Sequence, residues 1–314
     1  MRVVVSGASG FIGSQLCAFL RSRNEEVMEI DLPHCDISDT AQLTRSLEEV
    51  KPDYLYHLAA QASVGQSWQN PARTWHSNAW GTLSLLKAVR AACPTAKTVV
   101  MSSAAVFDGA RLDSPIDEAR TPAPLSPYGA SKVAVESMAR HYVAVHGLQV
   151  VIVRPFNVIG PTQAPDYLVP ALARRIVSAV RSGRTHITVG NLTARRDFLD
   201  VRDAVQGLEM IMRYGWAGEA YNLCTGVGVP VRRLVETMIL LADSRLEYRQ
   251  DPVLTRGSDP LSLVGDPGKT RSLTGWQSSI PLATTLRDVL DATGKALSVG
   301  RGLTTSAHGE APLS

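Results

Sequence analysis

Tyr128 and Lys132 lie four residues apart in Tyr128-Gly129-Ala130-Ser131-Lys132. That spacing puts a phenol and an ammonium on one face of a helix. A neighbouring cation stabilises phenolate, so Lys132 is expected to draw the Tyr128 pKa below its ordinary value of about 10 and make the phenol an acid or base near neutral pH. Taken alone, Tyr-x-x-x-Lys is a common accident of sequence. Its setting makes it specific, because Ser102-Ser103 close a β-branched run at 97–102. One of these two hydroxyls is expected to hydrogen-bond a substrate hydroxyl or carbonyl that changes oxidation state, and the other to be structural.

A second pattern lies at the start of the chain, where Ser6-Gly7-Ala8-Ser9-Gly10-Phe11-Ile12-Gly13 follows a short β-branched run and precedes a helical stretch from Ser14 to Arg23. Glycines at this spacing let the backbone turn tightly and approach a pyrophosphate seated on the helix N-terminus. An ordinary glycine-rich turn is the bland alternative. Placement between a strand and a helix favours a dinucleotide, held by Gly7, Gly10, Phe11, Ile12 and Gly13. Asp31 follows Gly13 by 18 residues, at the end of a second strand. There a carboxylate accepts hydrogen bonds from the adenosine ribose and repels a 2′-phosphate, which favours NAD with NADP as the alternative. Asp36 and Ile37 are expected at the adenine edge.

These residues need a frame that brings strand ends together. β-branched runs at Arg2–Val5, Val27–Asp31, Tyr54–Leu58, Lys97–Ser102 and Leu148–Val153 alternate with helical segments. Such alternation predicts a doubly wound α/β fold of Rossmann type with a parallel sheet, because parallel strands need crossover connections and are buried on both faces. Past Pro155 the pattern loosens, a helix is expected over 168–182, and Ala220–Leu223 returns as a strand. The expected domains are a dinucleotide-binding domain of 1–162 with 187–225, and a smaller mixed C-terminal substrate domain of 163–186 with 226–296. A disordered tail is expected over 297–314.

The chain of 314 residues is 45% hydrophobic, and 32 basic against 29 acidic residues leave a net charge of +3 without runs of like charge. This argues against a nucleic-acid or membrane partner. The four cysteines form no Cys-x-x-Cys pair, which fits a reducing cytoplasm. No signal peptide is expected, since the opening Met-Arg-Val-Val-Val runs straight into the glycine motif, and no apolar run of about 18 residues could span a bilayer. No metal site is expected, since the seven histidines include no His-Glu-x-x-His. His57 and His76 read as packing or polar-shell residues.

Over nearly its whole length the chain resembles the extended short-chain dehydrogenase/reductase family. The matching segments are Gly7 to Gly13, His57-Leu58-Ala59-Ala60-Gln61, Asn78 with Gly81-Thr82, Val100 to Val106, Ser126 to Lys132, Arg154-Pro155-Phe156-Asn157-Val158, and Arg196-Asp197-Phe198 with Asp200-Val201 and Asp203. The resemblance implies Ser103, Tyr128 and Lys132 as the catalytic set, and Leu58, Ala59, Ala60, Asn78 and Pro155 around the nicotinamide. It also implies a nucleotide-diphosphate sugar as substrate, with Arg196 and Arg256 on the diphosphate and ribose and Asn157 and Asp259 as further substrate contacts, and a homodimer formed through two long helices. Ala62-Ser63-Val64, Val189-Gly190-Asn191-Leu192 and Tyr221-Asn222-Leu223-Cys224-Thr225-Gly226 are similar to the branch of GDP-4-dehydro-6-deoxymannose reductases. Two departures touch that branch's pocket: Val158 stands where histidine is usual, and Phe107-Asp108 where Tyr-Gly is usual.

The implied chemistry is reduction of a 4-ketone on a GDP-4-keto-6-deoxy-hexose. A 4-epimerase that keeps its NAD bound would use the same residues. A 4,6-dehydratase would need acidic residues where Ala104-Ala105 stand. Intact Ser103, Tyr128 and Lys132 argue against a dinucleotide-binding protein without turnover.

Overall fold

The computed structural model describes residues 1–107, 114–251 and 261–302. Its central feature is a six-stranded sheet in the order β2-β1-β3-β4-β5-β9. These strands are β1 (Arg2–Ser6), β2 (Glu26–Ile30), β3 (Tyr54–His57), β4 (Lys97–Met101), β5 (Val150–Pro155) and β9 (Ala220–Leu223). All neighbouring pairs are parallel.

Alternating strand residues supply two apolar faces. Val3, Val5, Tyr56, Val99, Met101, Val151 and Val153 pack with α1 (Phe11–Ser22) and α8 (Val201–Tyr214). Val4, Leu55, Val100, Val150 and Ile152 pack with α2 (Thr40–Val50), α5 (Gly81–Ala92) and α6 (Pro127–His146). Both faces are covered by helices, so the strands read as continuous apolar runs. The fold is a Rossmann-type doubly wound α/β fold. β1 has β2 on one side and β3 on the other, so the winding reverses there, and a crevice opens beyond the C-terminal ends of β1 and β3.

The chain divides into two compact units, Met1–Val158 with Ala194–Val229 and Ser258–Ser279, and Ile159–Thr193 with Pro230–Gly257 and Ile280–Ser314. Besides the main sheet the first unit carries two short helices, α3 (Val64–Gln69) and α4 (Pro71–Trp75), a π-helical turn over His76–Trp80, a 3₁₀ turn over Ala104–Phe107 and α10 (Gly268–Thr274). A small second sheet places β8 (Arg195–Asp200) between β10 (Gly228–Pro230) and β12 (Ser262–Leu263), and β6 (Asn157–Ile159) also pairs with β8. In the second unit β7 (His186–Val189) pairs in parallel with β11 (Glu247–Gln250), and α7 (Leu168–Arg181), α9 (Val231–Leu241) and α11 (Leu282–Gly302) pack together.

The strands fall within two residues of their expected places. The expected tail does not begin at 297, because α11 runs on to Gly302. Arg181 ties that helix down by donating to the Gly294 carbonyl at 2.6 Å and to Ser298 Oγ at 2.8 Å, contacts that composition does not reveal. Residues 303–314 lie outside the described residues. No helix among the described residues is long and apolar enough to cross a membrane.

Candidate active site

The glycine loop is shaped by close approach. Gly7 has φ +77°, and a Cβ there would stand 2.5 Å from the Ala59 amide nitrogen. A Cβ at Gly13 would overlap the Gly7 carbonyl oxygen. Glycine is therefore required twice, once by conformation and once by the packing of α1 on the loop. Gly10 is the N-cap of α1 and offers no side chain to accept from the first turn, which also lacks any acidic residue. The helix thus presents the amides of Phe11, Ile12 and Gly13 at an uncapped end, an arrangement suited to an anion.

Asp31 does more than the sequence indicates. Its carboxylate accepts from Gly7 N at 2.8 Å and from Ser9 N at 2.5 Å, so it pins the loop itself. A carboxylate offers about four acceptor sites, which leaves room for a further donor. Asp36 accepts from the Ser38 amide and hydroxyl, both at 2.8 Å, and these bonds hold its carboxyl below the usual range. Ile37 packs over Gly81, where a Cβ would come within 2.7 Å of its Cδ1.

The turn after β3 faces this loop. Leu58 N donates to Ser6 O at 2.9 Å, and Leu58, Ala59 and Ala60 are half-buried. Asn78, expected around the nicotinamide, is held by the protein itself. It is 1% exposed, and its amide accepts from Gln61 N at 2.8 Å while donating to Gln61 O at 3.1 Å and to Ser131 Oγ at 2.9 Å. These bonds use both amide protons, so Asn78 holds the 58–61 turn against α6 from behind.

A buried chain of hydrogen bonds continues from Asn78. Thr82 Oγ1 donates to the Asn78 carbonyl at 2.6 Å, which commits its only proton. His57 Nε2, at 3.0 Å from Thr82 Oγ1, must then be the donor. Nδ1 accepts from Ser6 Oγ at 2.8 Å. Burial pushes the His57 pKa down to about 3, with Lys132 adding to the effect, so the imidazole stays neutral.

The phenol and ammonium lie at the start of α6. Ser126 caps this helix by accepting from Gly129 N at 3.0 Å, and Pro127 occupies its first turn. A Cβ at Gly129 would overlap the Ala105 carbonyl, so glycine lets α6 pack on the 3₁₀ turn. Tyr128 is 8% and Lys132 4% exposed. Lys132 Nζ lies 5.8 Å from the Tyr128 ring centroid and donates to the Met101 carbonyl at 2.7 Å. Burial draws the Lys132 pKa down to about 8. The structure also separates the two serines. Ser102 Oγ is committed to Glu136 at 2.6 Å, whereas the Oγ of half-buried Ser103 accepts from Ala105 N at 3.1 Å and, among the described residues, donates to no group.

Along the second sheet, Asn157 Nδ2 donates to the Asp197 carbonyl at 2.9 Å. The Asp197 carboxylate is fully buried and accepts from Thr225 N and Oγ1, Gly226 N and Gly265 N. Burial raises its pKa against these bonds. Arg196 is half-buried and donates to the Arg195 carbonyl at 2.9 Å. Pro155 ends β5, half-buried. Arg256, Asp259 and Asp108 lie outside the described residues. Val158 and Phe107, the two departures from the reductase pattern, are both buried in apolar clusters.

Sequence reasoning overlooked Ser6, Glu136, Arg154 and Asp197 as polar supports. A signal existed for one of them: Glu136 falls one turn beyond Lys132 on the same helix face, a carboxylate in an otherwise inward stripe.

A parallel α/β sheet carrying both an uncapped glycine loop and a buried tyrosine–lysine pair at the ends of its strands defines a dinucleotide-dependent enzyme class. The model of the NAD dependent epimerase/dehydratase family matches residues 3–224, and the chain belongs to that family. It is 33% identical over 292 residues to GDP-6-deoxy-D-mannose reductase of Pseudomonas aeruginosa, covering 92% of this chain and 96% of that protein. It is 28% identical to UDP-glucose 4-epimerase of Halalkalibacterium halodurans, covering 91% of this chain and 93% of that one. The solved structure of RMD from Pseudomonas aeruginosa complexed with NADPH superposes with a TM-score of 0.85 at 32% identity, covering 94% of this chain and 98% of that one.

Proposed function

We propose that the protein is an NAD(P)-dependent nucleotide-sugar oxidoreductase that reduces the 4-keto group of a GDP-4-keto-6-deoxy-hexose. The observation that carries this reading is the buried Tyr128–Lys132 pair, whose ammonium is bound to the Met101 carbonyl two residues before Ser103, in the same compact unit as a glycine loop whose helix end lacks a side-chain cap. The loop fits a dinucleotide on this chain's own geometry, since the first turn of α1 has no side-chain cap and Gly7 and Gly13 let the loop, the turn after β3 and the helix close on one another. Gly7, Gly10 and the amides of Phe11, Ile12 and Gly13 would hold its pyrophosphate, and Asp31 its adenosine ribose. Asp36 and Ile37 would sit toward the adenine, and Leu58, Ala59, Ala60 and Pro155 toward the nicotinamide. A nicotinamide dinucleotide bound there supplies the hydride.

Ser103 donates its hydroxyl proton as a hydrogen bond to the sugar carbonyl oxygen, and Tyr128 gives that oxygen a proton as it becomes a hydroxyl. The Lys132 ammonium stabilises the phenolate left behind. Arg196 takes the diphosphate through charge-assisted hydrogen bonds, joined by Arg256, with Asn157 and Asp259 as further substrate contacts. Four buried free thiols suit the reducing cytoplasm, and a homodimer through α5 and α6 follows from the family likeness.

A second reading, an NDP-sugar 4-epimerase that retains NAD, is favoured by Asp31, whose carboxylate sits where a 2′-phosphate would be repelled, and by the likeness to UDP-glucose 4-epimerase. Denaturing the purified protein and assaying released dinucleotide separates the two. An empty site followed by oxidation of NADH or NADPH with GDP-4-keto-6-deoxymannose supports the reductase; stoichiometric NAD with interconversion of C4 epimers replaces it with the epimerase.

A further inference from the structure

The C-terminal end of β4 grips α6 at two points. Met101 offers its carbonyl to Lys132 Nζ at 2.7 Å, and the next residue, Ser102, donates its hydroxyl to Glu136 Oε1 at 2.6 Å. Lys132 and Glu136 are one helical turn apart. α6 is already held by apolar packing and by the seat of Gly129 on the 3₁₀ turn; two directional contacts a turn apart add a fixed register of the helix against the strand end. The residue after this grip is Ser103, and one turn before it on the helix is Tyr128.

The second point is itself anchored. Arg154 on β5 forks onto Glu136, with Nε to Oε1 and Nη2 to Oε2 both at 2.7 Å. Side-chain exposure is 2% for Arg154 and 1% for Glu136. Arg154 also donates from Nη1 to the Glu118 carbonyl at 3.0 Å, and its guanidinium lies 5.0 Å from the Phe107 ring centroid. Arg140, exposed, adds a longer contact to Glu136 at 3.2 Å. A buried ion pair is a poor source of stability, because desolvation offsets most of its attraction and well-packed apolar residues do as well. Its directional bonds are what an apolar replacement could not supply.

We propose that Ser102 and Glu136, locked by Arg154, are positioning residues that set the distance between the Ser103 hydroxyl and the Tyr128 phenol. This inference rests on the proposed role of Ser103, Tyr128 and Lys132 as the proton-transfer set. Small displacements of reacting groups are costly, about a hundredfold in rate for 1 Å, so loosening the grip shows in kcat before it shows in binding.

The test is Ser102→Ala, which removes one hydroxyl and leaves the ion pair intact, with Ser102→Thr as the conservative rescue. With GDP-4-keto-6-deoxymannose and NADPH, Ser102→Ala lowers kcat about tenfold, leaves KM and the dinucleotide Kd within about twofold, and Ser102→Thr recovers most of the loss. A kcat within about twofold of the parent in Ser102→Ala, or a loss that merely tracks the fraction unfolded, overturns the grip. If the parent protein itself does not turn this ketone over, the function reading fails, and the grip is judged without sugar. The Tyr128 phenol is then titrated by its absorbance, taken as the difference from Tyr128→Phe. Ser102→Ala shifts that titration upward by about half a pH unit as Lys132 loses its register; an unmoved titration rejects the proposal.

Discussion

The helices α1 and α6 begin beside the same sheet but are finished in opposite ways. At α1 the N-cap is Gly10, no side chain accepts from the first turn, and two glycines keep the backbone clear of side chains. At α6 the cap is Ser126, Pro127 opens the first turn, and the polar groups one and two turns on are spoken for by Met101 and Ser102. An end that must receive a mobile anion keeps its donors open, because the anion itself completes them. An end that must move a proton between fixed groups is saturated beforehand, because reorganisation during the reaction adds to the barrier.

Removing the acid from the saturated end gives the largest effect. Tyr128→Phe deletes one oxygen and keeps the buried ring, so kcat should fall by about 10² to 10⁴-fold while the protein melts near the parent temperature and binds dinucleotide as before. Steady-state rates alongside a melting curve check this, and retained turnover would dismiss Tyr128 as the proton donor. The open end should break in the reverse sense. Gly13→Ala drives a methyl group into the Gly7 carbonyl, and at least about a tenfold loss of dinucleotide affinity is expected, since the loop must leave the position the pyrophosphate needs. Fluorescence titration with NADH reads it; parent-like affinity in a folded Gly13→Ala protein would mean that the loop is not the phosphate site.

How much of this contrast was visible beforehand follows from which interactions are local. The Gly7 to Gly13 spacing, the β-branched runs and the four-residue step from Tyr128 to Lys132 all lie within one or two elements, so periodicity and chain order exposed them. Asp31 was half legible. Its position at a strand end pointed to a ribose, but its bonds to Gly7 and Ser9 depend on how a loop 22 to 24 residues away folds back. Asn78, Glu136 and Asp197 join parts of the chain that no sequence pattern brings together: Asn78 reaches Ser131, Glu136 reaches Ser102 and Arg154, and Asp197 reaches Thr225 and Gly265. The continuation of α11 past 297 was missed because its hold on Arg181 is equally non-local.

A milder test cuts the cap and leaves the chemistry in place. Ser126→Ala removes the side-chain acceptor for Gly129 N, at a cost of about 1 kcal/mol of stability. Chemical denaturation should show a lower midpoint with an unchanged slope, and NADH affinity should stay at the parent value because α1 is untouched. A change in affinity equal to that of Gly13→Ala would mean that the two helix ends are not separately built.

The smallest effect expected at neutral pH concerns the chain of hydrogen bonds that runs from Ser6 beside the glycine loop to Asn78 behind α6. Its middle member, His57, has a pKa near 3 in the folded protein against an ordinary value of 6.5. Between those values the unfolded chain takes up a proton that the native state refuses, so stability that is fully present above pH 6.5 drains away as the pH falls toward 3. Glutamine can take over both bonds, accepting from Ser6 with its carbonyl and donating to Thr82 with its amide, and it does not titrate. His57→Gln should therefore lose some stability at neutral pH through imperfect fit, yet fall less steeply than the parent between pH 6.5 and 3, by about one proton taken up on unfolding. Unfolding midpoints measured across that range decide it. Parallel curves would mean that His57 takes up its proton in the native state as readily as in the unfolded chain, and the bond in which Nδ1 accepts from Ser6 would have to be reversed.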